Sequence, residues 1–179
     1  MNEFKKLLYD IKRIIGKRKQ RVFILPFNRC FVGILLYRIE RFLFKIFGKF
    51  YPVVRVPLAP IFSLMQAYSN IDIHYHADIK EGLLILHPSA GVVISGKSRI
   101  GRNLTLTGGN IIGLKHGCNK SHCIEIGDNC TLGANATVIG PLKLGNNIFI
   151  GANACVVKSY KEDNIILVGV PARKLNEIS

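Results

Sequence analysis

Acidic residues are scarce in this chain. Its 179 residues hold 11 Asp and Glu against 25 Lys and Arg, a formal net charge of +14. The scarcity is local. Residues 1–70 hold 3 acidic residues against 14 basic ones, and residues 71–179 hold 8 against 11, so two segments with different partners are expected. Long apolar runs are missing too. None reaches the ~18 residues of a membrane-spanning helix, and the nearest, VFILPFNRCFVGILLY, is interrupted by Pro26, Asn28 and Arg29. No leader with a small-residue cleavage site opens the chain, and the five cysteines (Cys30, Cys118, Cys123, Cys130, Cys155) are odd in number and irregularly spaced. These absences argue against a secreted disulfide framework and for a reducing, cytoplasmic compartment. No Walker-type or Rossmann glycine loop is present, which argues against a nucleoside triphosphate. No nucleic-acid-reading motif accompanies the basic residues, so no nucleic-acid partner is expected.

What is present is hydrophobic residues, at 49% of the chain, enough for one core plus a small cap and too many for a disordered tail. They recur with a period of six. Ile126, Leu132, Val138, Leu144, Ile150 and Val156 form one block, Ile94, Ile100, Leu106 and Ile112 a second, and Ile73, Ile79 and Ile85 a third. Gly127, Gly133, Gly145 and Gly151 follow four of them, and Cys130, Ala136, Leu142, Ile148 and Ala154 stand four residues past the first five aliphatics of the first block. Six fits neither a helix nor a flat strand. It fits a coil with three short faces, one aliphatic per face pointing inward and stacking on its equivalents. Small residues leave room at the corners, and glycine is expected to relieve the backbone there. The expected organisation is a basic helical region over 1–70 and an all-β parallel β-helix over 71–179, with a loop inserted at about 114–122.

The run IGDNCT-LGANAT-VIGPLK-LGNNIF-IGANAC, closed by GVPAR at 169–173, resembles the left-handed β-helix (hexapeptide-repeat) acyltransferases. IDIH at 71–74 followed by LHPSAGVVISG at 86–96 resembles their serine acetyltransferase branch. The resemblance implies a left-handed coil and a homotrimer with active sites at subunit interfaces. It also implies transfer of an acetyl group from acetyl-CoA to an alcohol; no metal is expected. In this reading His87 is the general base, matched to proton removal near neutral pH, and Asp72 orients it by fixing its tautomer. A shortened corner would bring Asp72 beneath His87. The bland alternative for His87 is a satisfied structural histidine; His74 and His76 are expected to be outward-facing corner residues. By motif, Gly113, Ala134 and Ala152 would lie along acetyl-CoA, and Lys158, Arg173 and Lys174 would meet its phosphates.

The chain departs from the serine enzymes at two places. Leu86 stands where they carry Asp before the catalytic His, and Ser121-His122 where they carry Arg-His at the end of the inserted loop. A zwitterionic acceptor would lose both charge partners. The acceptor expected is therefore a neutral sugar of capsule, exopolysaccharide or O-antigen synthesis, as in short O-acetyltransferases that this branch resembles. Free serine is the alternative, and a non-catalytic β-helix scaffold is the second. Leu86, Ser121 and His122 are the candidate acceptor-binding residues. The loop HGCNKSHC (116–123) has the residue types for zinc, but adjacent His122 and Cys123 point apart on an extended chain, and a reducing compartment disfavours a Cys118–Cys123 disulfide.

The basic third shows two helices. Phe4, Leu7, Leu8, Ile11, Ile14 and Ile15 keep helical spacing, with Lys5, Lys6, Lys12, Arg13 and Lys17 opposite. A second helix is expected from about Phe31 to Phe50, with Arg38, Arg41, Lys45 and Lys49 as a narrow basic stripe. Pro52, Pro57 and Pro60 should then break the pattern. One reading is a cap packed on the β-helix; the other is peripheral contact of residues 1–50 with an anionic membrane.

Overall fold

The structure, a computed structural model, describes residues 2–17, 19–115, 118 and 121–175. Three helices come first: α1 (Glu3–Ile15), α2 (Arg29–Phe47) and α3 (Tyr51–Ser69). From Ile71 the chain winds as a coil whose short strands fall on three faces. The first face stacks Ile71–Ile73, Val92–Ile94, Asn110–Leu114, Thr137–Gly140 and Cys155–Val156. The second stacks Asp78–Ile79, Ser98–Ile100, Ile124–Ile126 and Leu142–Leu144. The third stacks Leu84–Ile85, Thr105–Leu106, Thr131–Leu132, Phe149–Ile150 and Ile166–Val168, all parallel, and Arg173–Lys174 closes it antiparallel.

Every aliphatic of the period-six ladder is buried, from Ile73 to Val156, and so are Cys130, Ala136, Leu142, Ile148 and Ala154. Each such side chain contributes ~2 kcal/mol of burial, and stacking alone supplies the neighbours. Glycine serves the corners for a different reason from the one expected. The positive φ falls two residues later, on Asn129, Asn135, Asn147 and Asn153, a residue that tolerates this conformation. A Cβ on Gly127 would instead lie 2.4 Å from the Gly145 carbonyl oxygen of the next coil. Asparagine side chains tie the corners together, Asn103 donating to Asn129 and Asn147 to Asn164, each at 2.9 Å.

The helices cap the open end of the coil. An uncovered first coil would leave backbone carbonyls without donors, and basic side chains supply them. Arg38 donates to the Ile79 and Lys80 carbonyls at 2.8 Å each, Lys6 to Ile79 at 3.0 Å, and Arg41 to Tyr75 at 3.1 Å. Arg13 reaches the carbonyls of Gly82 and Leu104. Asp10 accepts from the Gly82 and Leu83 N–H groups at 2.7 and 2.8 Å. Most of the α2 basic stripe thus faces protein, while Phe4 and Leu8 of the apolar α1 face stay exposed. The prolines also depart from expectation, because α3 runs through Pro57 and Pro60. Both prolines, and the residues Val53 and Val56 whose carbonyls they leave unbonded, are exposed, so water can satisfy those carbonyls.

Candidate active site

His87 stands at the edge between the third and first faces. Its N–H donates to the Thr107 carbonyl at 2.8 Å, and its own carbonyl accepts from Ala90 at 3.2 Å, closing the turn Pro88–Ala90. A Cβ on Gly108 would lie 2.4 Å from the His87 carbonyl oxygen. Gly108 therefore lets the next coil close over this turn, a role that the period of six does not mark. The His87 side chain is exposed and forms no hydrogen bond among the described residues, so the reading as a satisfied structural histidine finds no partner. It borders a depression of ≈ 510 Å³ also lined by Ile14, Arg21, Phe27, Arg29 and Leu86.

Asp72 is not beneath it. The first coil spans 21 residues from Ile71 to its partner Val92, against 18 from Val92 to Asn110, and Asp72 pairs with Val93 in mid-face. The corner is lengthened by the turn after His87 rather than shortened. Asp72 faces a second depression, of ≈ 460 Å³, on the other side of that turn, with Gln66, Asn70, Val93 and Ile111. No hydrogen bond joins Asp72 and His87 within the chain.

The remaining candidates divide between two edges of the first face. Ala134 and Ala152 stack above His87 on the third–first edge. The Ala134 carbonyl accepts from Asn153 at 2.8 Å, and the Ala134 and Ala152 N–H groups have no backbone acceptor among the described residues. Gly113, Ser121, His122 and Lys158 lie at or near the first–second edge, where Gly113 pairs with Ile139 and the inserted loop emerges. His122 is half-buried, its Nδ1 buried without a hydrogen-bond partner among the described residues, and Ser121 is exposed. Leu86 is 51% exposed beside His87, an apolar surface where a carboxylate could have stood. Lys158 lies over the Tyr160 ring at 5.1 Å. Lys174 is already paired with the Glu162 carboxylate, which leaves exposed Arg173 the freer phosphate candidate.

The loop departs from expectation. Cys118 and Cys123 are joined as a disulfide, their Cα atoms 6.3 Å apart, a span that a bridge accommodates. Their spacing of five permits it. Those two sulfurs are therefore committed to each other rather than to a metal; His116 lies outside the described residues. Below the loop, His74 and His76 are exposed at the corner, the His74 Nδ1 accepting from the His76 N–H at 3.1 Å and its ring stacking on Tyr75 at 4.5 Å. Burial holds both imidazoles below their usual value. Sequence reading missed the buried carboxylate of Glu40, which accepts from Tyr51 at 2.9 Å and Arg55 at 2.7 Å near Asp72 and His74. Those residues are scattered in sequence, and no motif marks them.

Comparison with known proteins places this geometry. Residues 123–158 match the family described as bacterial transferase hexapeptide (six repeats). The chain is 33% identical over 101 residues to serine acetyltransferase 5 of Arabidopsis thaliana, covering 55% of this chain and 32% of that one. It is 44% identical over 48 residues to the bifunctional protein GlmU of Anaplasma marginale, covering 27% of this chain and 11% of that one. Among solved structures, the serine acetyltransferase of Neisseria gonorrhoeae superposes with a TM-score of 0.78 at 27% identity, over 97% of this chain and 66% of that one. A structure of the same enzyme in complex with serine gives 0.79 over 69% of its length. The coil is thus a left-handed parallel β-helix, and the likeness takes in the amino-terminal helices. The chain spans about a third of the Arabidopsis relative.

Proposed function

We propose that the protein is an acetyl-CoA-dependent O-acetyltransferase with His87 as general base. The observation that carries this is His87 itself: an exposed imidazole whose side chain has no hydrogen-bond partner among the described residues, on a depression at the edge where, among those residues, the Ala134 and Ala152 N–H groups have no backbone acceptor. The neutral ring takes the acceptor hydroxyl proton as the oxygen attacks the thioester carbonyl. The tetrahedral centre then collapses, the carbon–sulfur bond breaks, and the proton passes to the departing CoA sulfur.

Division of the candidate residues between two edges of one face supports a homotrimer. Around a three-fold axis, the edge bearing His87, Ala134 and Ala152 in one subunit can meet the edge bearing Gly113, Ser121, His122 and Lys158 in the next. Val93 and Ile111, exposed at 45% and 43% on the intervening face, would be covered by such contact. Asp72 orients His87 in this reading only across that contact or after a shift of the turn between them.

The comparisons favour serine as the acceptor over the neutral sugar expected from sequence, since the relatives that match most of the described coil are serine acetyltransferases. One observation favours the sugar. Leu86 presents apolar surface beside His87, and a site without that charge holds an amino acid poorly. Acceptor-dependent release of CoA separates the two. The serine reading expects release with free L-serine and none with sugars; the sugar reading expects the reverse. Release with no hydroxyl acceptor of either kind would contradict the proposal as a whole.

A further inference from the structure

The segment between α1 and α2 projects apolar side chains into solvent although its backbone is held. Phe23 is 86% exposed, Ile24 59% and Phe27 77%. The chain there is a succession of tight turns: Lys19–Val22 and Leu25–Phe27 form single 3-10 turns. The Phe27 N–H donates to the Ile24 carbonyl at 3.1 Å, and that of Asn28 to Leu25 at 2.9 Å. Leu25 packs against the core, Tyr68 donates to the Phe27 carbonyl at 2.6 Å, and Arg29 lies over the Tyr68 ring. Such anchoring fixes the aromatic side chains outward; they are not the by-product of a slack loop.

Charge around this apolar tip has one sign. All three carboxylates of residues 1–70 are buried and spoken for. Glu3 holds Lys6, Arg38 and Lys45; Asp10 holds Arg38; Glu40 holds Arg55. Lys17, Arg21 and Arg29 are exposed beside the tip and form no ion pair among the described residues. The exposed apolar stripe of α3, including Val53, Val56 and Leu64, has fewer such cations: Arg55 is committed to Glu40, and Lys49 alone stands exposed at its start. Large apolar side chains amid unneutralised Lys and Arg match an anionic bilayer, whose headgroups take the cations while its acyl boundary takes the rings.

We infer that the segment 20–29, with Lys17 beside it, docks the protein on an anionic lipid surface, with Phe23, Ile24 and Phe27 entering the headgroup boundary. Arg21, Phe27 and Arg29 also line the His87 depression, so docking sets that depression at the lipid surface, within reach of an acceptor carried on a lipid. The inference goes beyond the acyltransferase reading, and its test needs no turnover, so either can fail alone.

The test is co-sedimentation of the full chain with phosphatidylglycerol vesicles and with pure phosphatidylcholine vesicles. Binding to the former only, weakened by salt, is expected. F23S/I24S, which changes two exposed positions outside the depression, should bind at least about tenfold more weakly with an unchanged melting temperature and oligomeric state. The chain has no Trp, so F23W supplies a lone fluorophore whose emission should shift to the blue on the anionic vesicles. No binding at low salt, equal binding by F23S/I24S, or no emission shift from F23W would overturn the inference. So would dissociation of the protein's own oligomer by F23S/I24S in the absence of lipid, since a second copy would then cover the tip.

Discussion

His74 and His76 carry the clearest pH dependence of the fold. Burial is the main cause of the lowered affinity of both rings for protons; the Asp72 and Glu40 carboxylates oppose it at His74, and the cations of Arg41 and Lys97 reinforce it at His76. The unfolded chain, with imidazoles near 6.5, binds protons more tightly than the folded one. The stability they contribute is therefore fully present above 6.5 and is lost as pH falls below it toward the lowered folded values. Melting temperature measured between roughly pH 7 and pH 5 should fall more steeply for the unmodified chain than for H74N/H76N; parallel curves would contradict this. Local motifs in the sequence single out His87 and Asp72 as candidates. Their separation was not legible there, because it depends on the turn Pro88–Ala90, which lengthens a corner that the period of six cannot measure. The Cys118–Cys123 bridge was misread for a related reason: compartment arguments concern the whole chain, and the pairing is decided by how close two particular cysteines come.

At the level of elements, the joint between helices and coil rests on Arg38. It is 2% exposed and bonded to Glu3, Asp10 and two carbonyls of the first coil. Arg38→Ala leaves two buried carboxylates and two carbonyls short of a donor, and should destabilise the protein by about 3–5 kcal/mol. Lys49→Ala, in the exposed turn just past the end of that helix, should stay within about 0.5 kcal/mol. Denaturant midpoints check both, and equal effects would show that the buried network is not what joins helices to coil. The first two helices were readable from the sequence, α1 from its apolar spacing, whereas α3 was not expected. Which basic residues turn inward was not, because Arg38 and Arg41 look like Lys49 until the bare carbonyls of the first coil are in place. The prolines of α3 misled for a similar reason, since their effect depends on whether the freed carbonyls meet water.

The molecule as a whole was the most legible. Thirteen aliphatics at six-residue steps define the coil, because only stacking buries a residue from each short face. Function is less so, for the candidate residues come to two edges of one chain, and a complete site needs the edges to meet. The central claim is that His87 removes the proton from an acceptor hydroxyl during acetyl transfer. The direct measurement is acceptor-dependent CoA release by the unmodified protein and by H87A, alongside the melting temperature and sedimentation of each. Loss of at least about 10²-fold in rate for H87A, with fold and assembly unchanged, is the predicted result; an H87A protein as fast as the original would contradict the account.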